Sequence, residues 1–141
     1  MNLLVSSIQA AGIVQLGIVL TAMWVPRVMN WRELLAPLHN FMRRLLWVYA
    51  AFIMGVNLWF AALSLAFAKA LASGGSLSRS VCGFMALYWL ARLCVQWFVF
   101  DARPLIRRRL VLFGYHSLTA AFAFLATVYS IAAMWPQEVV R

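Results

Sequence analysis

Four long apolar runs constrain what this chain can fold into. Each run approaches or exceeds the roughly 20 apolar residues that a helix needs to cross about 30 Å of hydrocarbon. Overall, 66% of the residues are hydrophobic and 11% are charged, whereas a soluble domain carries about 25% charged residues. So little polar surface cannot cover a water-soluble globule. The sequence therefore predicts an all-α, polytopic integral membrane protein with four transmembrane helices.

Turn and breaker residues set the predicted boundaries of these helices. Pro26 and Pro136 should end the first and last runs, because proline disfavours a helical conformation in the residue before it. The Ser-Gly-Gly-Ser segment at 73–76 predicts a turn between the second and third runs. We expect one membrane domain over residues 1–141, built as a four-helix bundle of two hairpins. The predicted helices cover about 3–24, 38–71, 78–100 and 105–135.

The distribution of arginine predicts the orientation in the membrane, because short cytoplasmic loops retain Lys and Arg. The first and third connectors with their flanks hold eight such residues, and the opposite side holds three. Both termini are therefore expected on the non-cytoplasmic side, and the bacterial inner membrane is the expected location. The eight are Arg27, Arg32, Arg43, Arg44, Arg103, Arg107, Arg108 and Arg109, against Lys69, Arg79 and Arg141.

The net charge of +9 indicates an anionic partner. The arginines cluster at the ends of apolar runs and do not form a soluble basic face, so nucleic acid is not expected. Anionic lipid headgroups of the bilayer are the expected counter-charge.

One arginine, Arg92, lies inside an apolar run. A charge near the membrane centre costs about 3 kcal/mol on insertion scales, so such a residue usually faces protein or a water-filled cavity. Tyr88, Arg92 and Gln96 are spaced four residues apart, so they share one stripe of a helix. We therefore expect the other helices to cover this polar face.

Depth estimates group further polar residues with Arg92. At 1.5 Å of rise per residue, Tyr49, Gln96 and His116 come out about 8 to 10 Å from the cytoplasmic ends of their helices, and Arg92 about 13 Å. Gln15 and Asn57 come out just past the midplane, at about 18 to 20 Å. The hypothesis is a cytoplasm-facing ligand pocket, although the same side chains can serve as interhelical hydrogen bonds worth about 0.6 kcal/mol each. The predicted ligand-binding residues are Gln15, Tyr49, Asn57, Tyr88, Arg92, Gln96 and His116.

Among the functions open to such a protein, a binding or assembly subunit of a larger membrane complex ranks first. It would act with protein partners or with further copies of this chain, and it requires no residue that the sequence lacks. A haem- or quinone-binding anchor of a redox complex ranks second. His39 and His116 should lie about 15 Å apart along the membrane normal, which disfavours a haem held by both. A single-histidine haem, or a quinone held by His116, Arg92 and Tyr49, stays open.

A membrane enzyme acting on a lipid-like substrate and a small-molecule transporter are the remaining alternatives. Both commonly need a carboxylate in the membrane interior, for proton transfer, metal binding or ion coupling. The acidic residues Glu33, Asp101 and Glu138 all lie at predicted helix ends. Cys82 and Cys94 are twelve residues apart and belong to no Cys/His cluster with zinc spacing. No metal site and no catalytic residue is therefore predicted.

Overall fold

The computed structural model describes residues 2–99 and 109–135, and every regular element in these ranges is a helix. Four of the helices in this part of the chain are long and apolar enough to cross a membrane, which confirms the prediction of an all-α membrane protein. The side of the membrane on which the termini lie, and the hairpin arrangement, stay predictions. The helices are α1 (Asn2–Val28), α2 (Trp31–Leu34), α3 (Asn40–Ala66), α4 (Ala68–Ala72), α5 (Ser76–Phe98) and α6 (Arg109–Met134).

The first helix is longer than the sequence predicts. It continues through Pro26 to Val28, beyond the expected end at residue 24. Helical hydrogen bonding persists beyond the proline, since the Met29 amide still donates to the carbonyl four residues earlier, that of Val25, at 2.9 Å. In an apolar environment each unpaired backbone group is costly, so continuing the helix outweighs the single bond that proline removes.

The second predicted helix is interrupted near its end. Phe67, with φ of −119° and ψ of 25°, separates α3 from the short α4. Its amide still donates to Leu63 and its carbonyl still accepts from Leu71, both at 2.9 Å, so the chain changes direction without losing these bonds. The turn that follows contains Gly74 at a φ of 78°, a conformation that glycine adopts at little cost.

The long helices pack mainly as two pairs, α1 along α3 and α5 along α6, with α1 also touching α4 and α6. Gly12 allows the close approach of α1 to α3. A Cβ atom at this position would lie 2.9 Å from Leu65 Cγ and 3.1 Å from Ser64 Cβ, which is too near for any larger residue without a shift. The fully buried core includes Ile8, Met85, Trp89, Leu125 and Tyr129.

The half of the bundle near the Gly74 turn is closed by side-chain contacts between the two pairs. The Ser64 and Tyr129 hydroxyl groups lie 2.5 Å apart and join α3 to α6. Phe60 of α3 packs edge-on against Phe84 and Tyr88 of α5, with ring centroids 6.0 and 5.2 Å away. We call this part, marked by Gly12, Ser64 and Tyr129, the closed half.

Candidate functional site

The opposite half of the bundle contains a cavity of about 630 Å³, which we call the inner cavity. Its lining extends from Ile18 to Arg27 on α1, about 14 Å at 1.5 Å per residue, and from Trp47 to Asn57 on α3, about 15 Å. One residue of α5, Arg92, completes it. Most of the wall is apolar, and it is formed by Ile18, Ala22, Met23, Val25, Pro26, Ala50, Ala51, Ile53 and Met54.

Arg92 reaches this cavity as a partly buried side chain. Its Cζ atom lies 5.6 Å from the centre of the Phe122 ring, a cation–π contact with α6. The four membrane-spanning helices, as far as the structure describes them, contain no Asp or Glu. Within these helices no carboxylate balances the guanidinium, so an anion that entered the cavity would meet an uncompensated positive charge.

Asn57 lies at the same end of the inner cavity and is only 4% exposed. Its Oδ1 atom is buried and has no hydrogen-bond partner among the described residues. A buried polar group without a partner is unfavourable, and more so where lipid replaces water. Asn57 and Arg92 together therefore give one end of a mostly apolar cavity polar side chains, and we call this end the floor.

Gln15 lies one helical turn beyond Ile18, away from the cavity lining. It is fully buried, and neither amide atom makes a hydrogen bond of good geometry with a described residue. Its side chain lies beside Tyr129, whose hydroxyl group is paired with Ser64. Gln15 thus belongs to the closed half, just past the floor that Asn57 and Arg92 form.

Gln96 is buried, but its side-chain amide is already hydrogen-bonded to α6. Its Nε2 atom donates to Thr119 Oγ1 at 2.5 Å and to the Tyr115 carbonyl at 3.2 Å. The Tyr115 hydroxyl in turn donates to the Gln96 carbonyl at 3.2 Å. Gln96 therefore joins α5 to α6 and does not line the inner cavity.

Two further polar groups are buried in the aromatic cluster beside the floor. Tyr88 packs edge-on against Trp89, with centroids 5.2 Å apart. The Tyr88 hydroxyl and the Trp89 indole nitrogen are both buried without a partner among the described residues. The sequence does not identify Trp89 as a polar group, because most of a tryptophan side chain is apolar.

Tyr49 and His116 lie apart from the cavity. Tyr49 is 58% exposed on the outer face of α3, and His116 is exposed on α6, where it packs against Tyr115. The structure therefore does not bring His116, Arg92 and Tyr49 to one ligand. The depth estimates gave the height of each residue along its helix, but successive helical residues differ by about 100° in direction. The residue next to Tyr49, Ala50, lines the cavity instead.

The other end of the inner cavity is also polar, and sequence reasoning missed its residues as a site. Arg27 of α1, Trp31 of α2 and Trp47 of α3 line this end. The signal in the sequence is Trp31, which lies close to Arg27 and directly before Arg32 in the first connector. A tryptophan beside arginines at a helix end is also what an aromatic residue at headgroup depth looks like, so the pattern alone does not indicate a site.

The described residues contain no group of three or more His, Cys, Asp or Glu side chains arranged to hold a metal ion. No protein-family model, curated protein or solved structure matches this chain. The inner cavity and its side chains are therefore the basis for a functional inference.

Proposed function

We propose that this integral membrane protein is a binding subunit that holds an amphipathic ligand in the inner cavity. One observation carries the proposal: Arg92 and Asn57 form a polar floor in an apolar cavity whose helices provide no carboxylate. A guanidinium forms strong, charge-assisted hydrogen bonds with carboxylate or phosphate oxygens. Apolar walls with a few placed polar groups are typical of small-molecule sites. The ligand we propose therefore has an oxyanion and a hydrocarbon part.

The proposal includes an orientation and partners. The arginine-rich connectors support a cavity mouth at Arg27 that faces the cytoplasm, with both termini on the other side, in a bacterial inner membrane. Anionic lipid headgroups surround the mouth. The subunit acts with a larger membrane complex or with further copies of this chain.

The test is the ligand that the purified protein retains in mild detergent. Lipids and other small molecules would be extracted from the wild-type protein and from Arg92→Leu, then identified and quantified by mass spectrometry. We expect a near-stoichiometric amphipathic anion in the wild type and at least about a tenfold loss in the variant, because one charge-assisted pair disappears. Arg92→Lys, which keeps the charge, should retain part of the ligand.

Arg44→Leu is the matched control, because Arg44 is exposed and does not line the inner cavity. It removes the same charge without touching the floor, so its ligand content should equal that of the wild type. Equal retention in Arg92→Leu and the wild type would show that Arg92 has only a structural role.

A quinone is the second candidate ligand, because its carbonyl oxygens can accept hydrogen bonds from Arg92 and its tail is hydrocarbon. The same extraction identifies it. A visible spectrum of the purified protein tests the related haem alternative directly, through the presence or absence of a haem band.

A further inference from the structure

Two smaller cavities of about 480 and 450 Å³ lie next to the mouth of the inner cavity. All three share Trp31 and Trp47, and the larger of the two also shares Met23, Pro26 and Arg27 with the inner cavity. We call these two smaller cavities the vestibule. Its polar lining consists of Arg27, Asn30, Arg32 and Arg43.

The paired rings of Trp31 and Trp47 lie where the vestibule meets the inner cavity. Their centroids are 5.9 Å apart and their planes are inclined by 62°. Asn30, directly before Trp31, has a left-handed backbone with φ of 47° and ψ of 52°. This conformation reverses the chain after α1 and places Trp31 against α3. The two tryptophan rings thus form the boundary that the vestibule shares with the inner cavity.

The vestibule is positively charged. Three arginines line it, while Glu33, the acidic residue in the described part of the chain, lines none of the three cavities. Arg43 donates to Asn40 Oδ1 at 2.6 Å, a neutral partner that leaves its charge uncompensated. Together, the vestibule and the inner cavity have arginine at both ends and an apolar stretch between them.

A ligand with a single polar head can use only one of the two ends, because the solvent-accessible arginines of the vestibule otherwise stay hydrated. If its head lies in the vestibule, its hydrocarbon end displaces water from Arg92 and Asn57 and leaves them unpaired. If its head lies at the floor, the vestibule arginines stay hydrated and add nothing to its binding. A ligand with oxygen acceptors at both ends gives charge-assisted partners to the vestibule arginines and to Arg92 at the same time.

Resting on the proposed function, we infer that the ligand carries two oxygen-bearing groups separated by a hydrocarbon chain. An anionic group binds among the vestibule arginines Arg27, Arg32 and Arg43, and the second group accepts hydrogen bonds from Arg92, beside Asn57. The chain between them lies along the apolar wall, which covers about 14 Å between Ile18 and Arg27.

The test compares dodecanedioic acid with dodecanoic acid, which differ only in the second carboxylate. Binding of both acids to the purified full-length protein would be measured by isothermal titration calorimetry in detergent. We expect the diacid to bind at least about tenfold more tightly. A series from octanedioic to hexadecanedioic acid should show an optimum chain length, since the two arginine ends are at a fixed separation.

Substitutions at the two ends test which arginine binds which group of the ligand. Arg92→Leu should remove the preference for the diacid, while Arg32→Leu should weaken both acids. Arg92→Gln keeps a polar side chain and serves as the second variant if the leucine protein does not fold. Arg44→Leu, outside all three cavities, should bind both acids as the wild type does.

Two outcomes separate this inference from the function on which it rests. Equal binding of the two acids, with both dependent on Arg92, would overturn the two-ended ligand and leave the proposed binding function in place. Failure of both acids to bind, together with no Arg92-dependent ligand in the mass spectra, would overturn both.

Discussion

The two halves of the bundle are built from the same four helices but in opposite ways. In the closed half, Gly12 brings α1 against α3, and the Ser64 and Tyr129 hydroxyl groups join α3 to α6. In the other half, α1, α3 and α5 surround the inner cavity, with Arg92 at its floor. Small residues and paired hydroxyl groups thus close one half, while the half that contains Arg92 leaves room for a ligand.

Gln96 and Gln15 show the same contrast on a smaller scale. Gln96 donates to two acceptors on α6, whereas neither amide atom of Gln15 has a partner among the described residues. Both are buried glutamines in apolar helices. A buried side-chain amide in a membrane helix therefore stabilises the fold only when it has hydrogen-bond partners.

The largest expected effect comes from filling the closed half. Gly12→Leu should lower the free energy of unfolding by about 1 to 3 kcal/mol, because the new side chain has no space beside Leu65 and Ser64. Thermal unfolding in detergent measures this as a lower melting temperature. Gly17→Leu is the control, since nothing lies within 4 Å of a Cβ atom there. Equal melting temperatures for the two variants would contradict close packing at Gly12.

Substitutions of the two glutamines should change stability in opposite directions. Gln96→Leu breaks the bonds to Thr119 and Tyr115 and should cost about 1 to 2 kcal/mol. Gln15→Leu removes an unpaired buried amide and should raise the stability of the ligand-free protein by about 1 kcal/mol. Melting temperatures of the ligand-free proteins give both values. A loss of stability in Gln15→Leu would mean that this amide is hydrogen-bonded after all.

A smaller effect is expected at the contact between the helix pairs. Tyr129→Phe removes the hydroxyl that pairs with Ser64 at 2.5 Å, and such bonds in membrane proteins average about 0.6 kcal/mol. The melting temperature should fall slightly, whereas the ligand content should not change, because Tyr129 lies outside the inner cavity. Reduced ligand content with an unchanged melting temperature would place Tyr129 in the site instead.

The smallest effect concerns two residues that the sequence predicted as ligand-binding. Tyr49→Phe and His116→Ala should leave ligand retention, measured by the same mass spectrometry, within error of the wild type. Both side chains are exposed on outer faces of the bundle. A marked loss of ligand in either variant would show that the ligand also contacts the outer surface.

The membrane class and the four helices could be predicted from the sequence because hydropathy alone determines them. The inward position of Arg92 also followed, since a buried charge avoids lipid. The directions in which the other polar side chains point could not be predicted. Lipid is as apolar as the protein interior, so hydrophobic patterning does not distinguish the two. For Tyr49 and His116, the rise per residue predicted the depth in the membrane but not the direction in which each side chain points. Both side chains point away from the cavity that Arg92 enters.

The ring of Phe122 is shared by two neighbours, the Arg92 guanidinium and the Trp89 indole, whose centroid is 5.3 Å away. A bound oxyanion that draws the guanidinium off this ring changes the electric field at the indole. The protein thus contains an intrinsic fluorescent reporter, so ligand binding should shift a component of the tryptophan emission that Trp89→Phe removes.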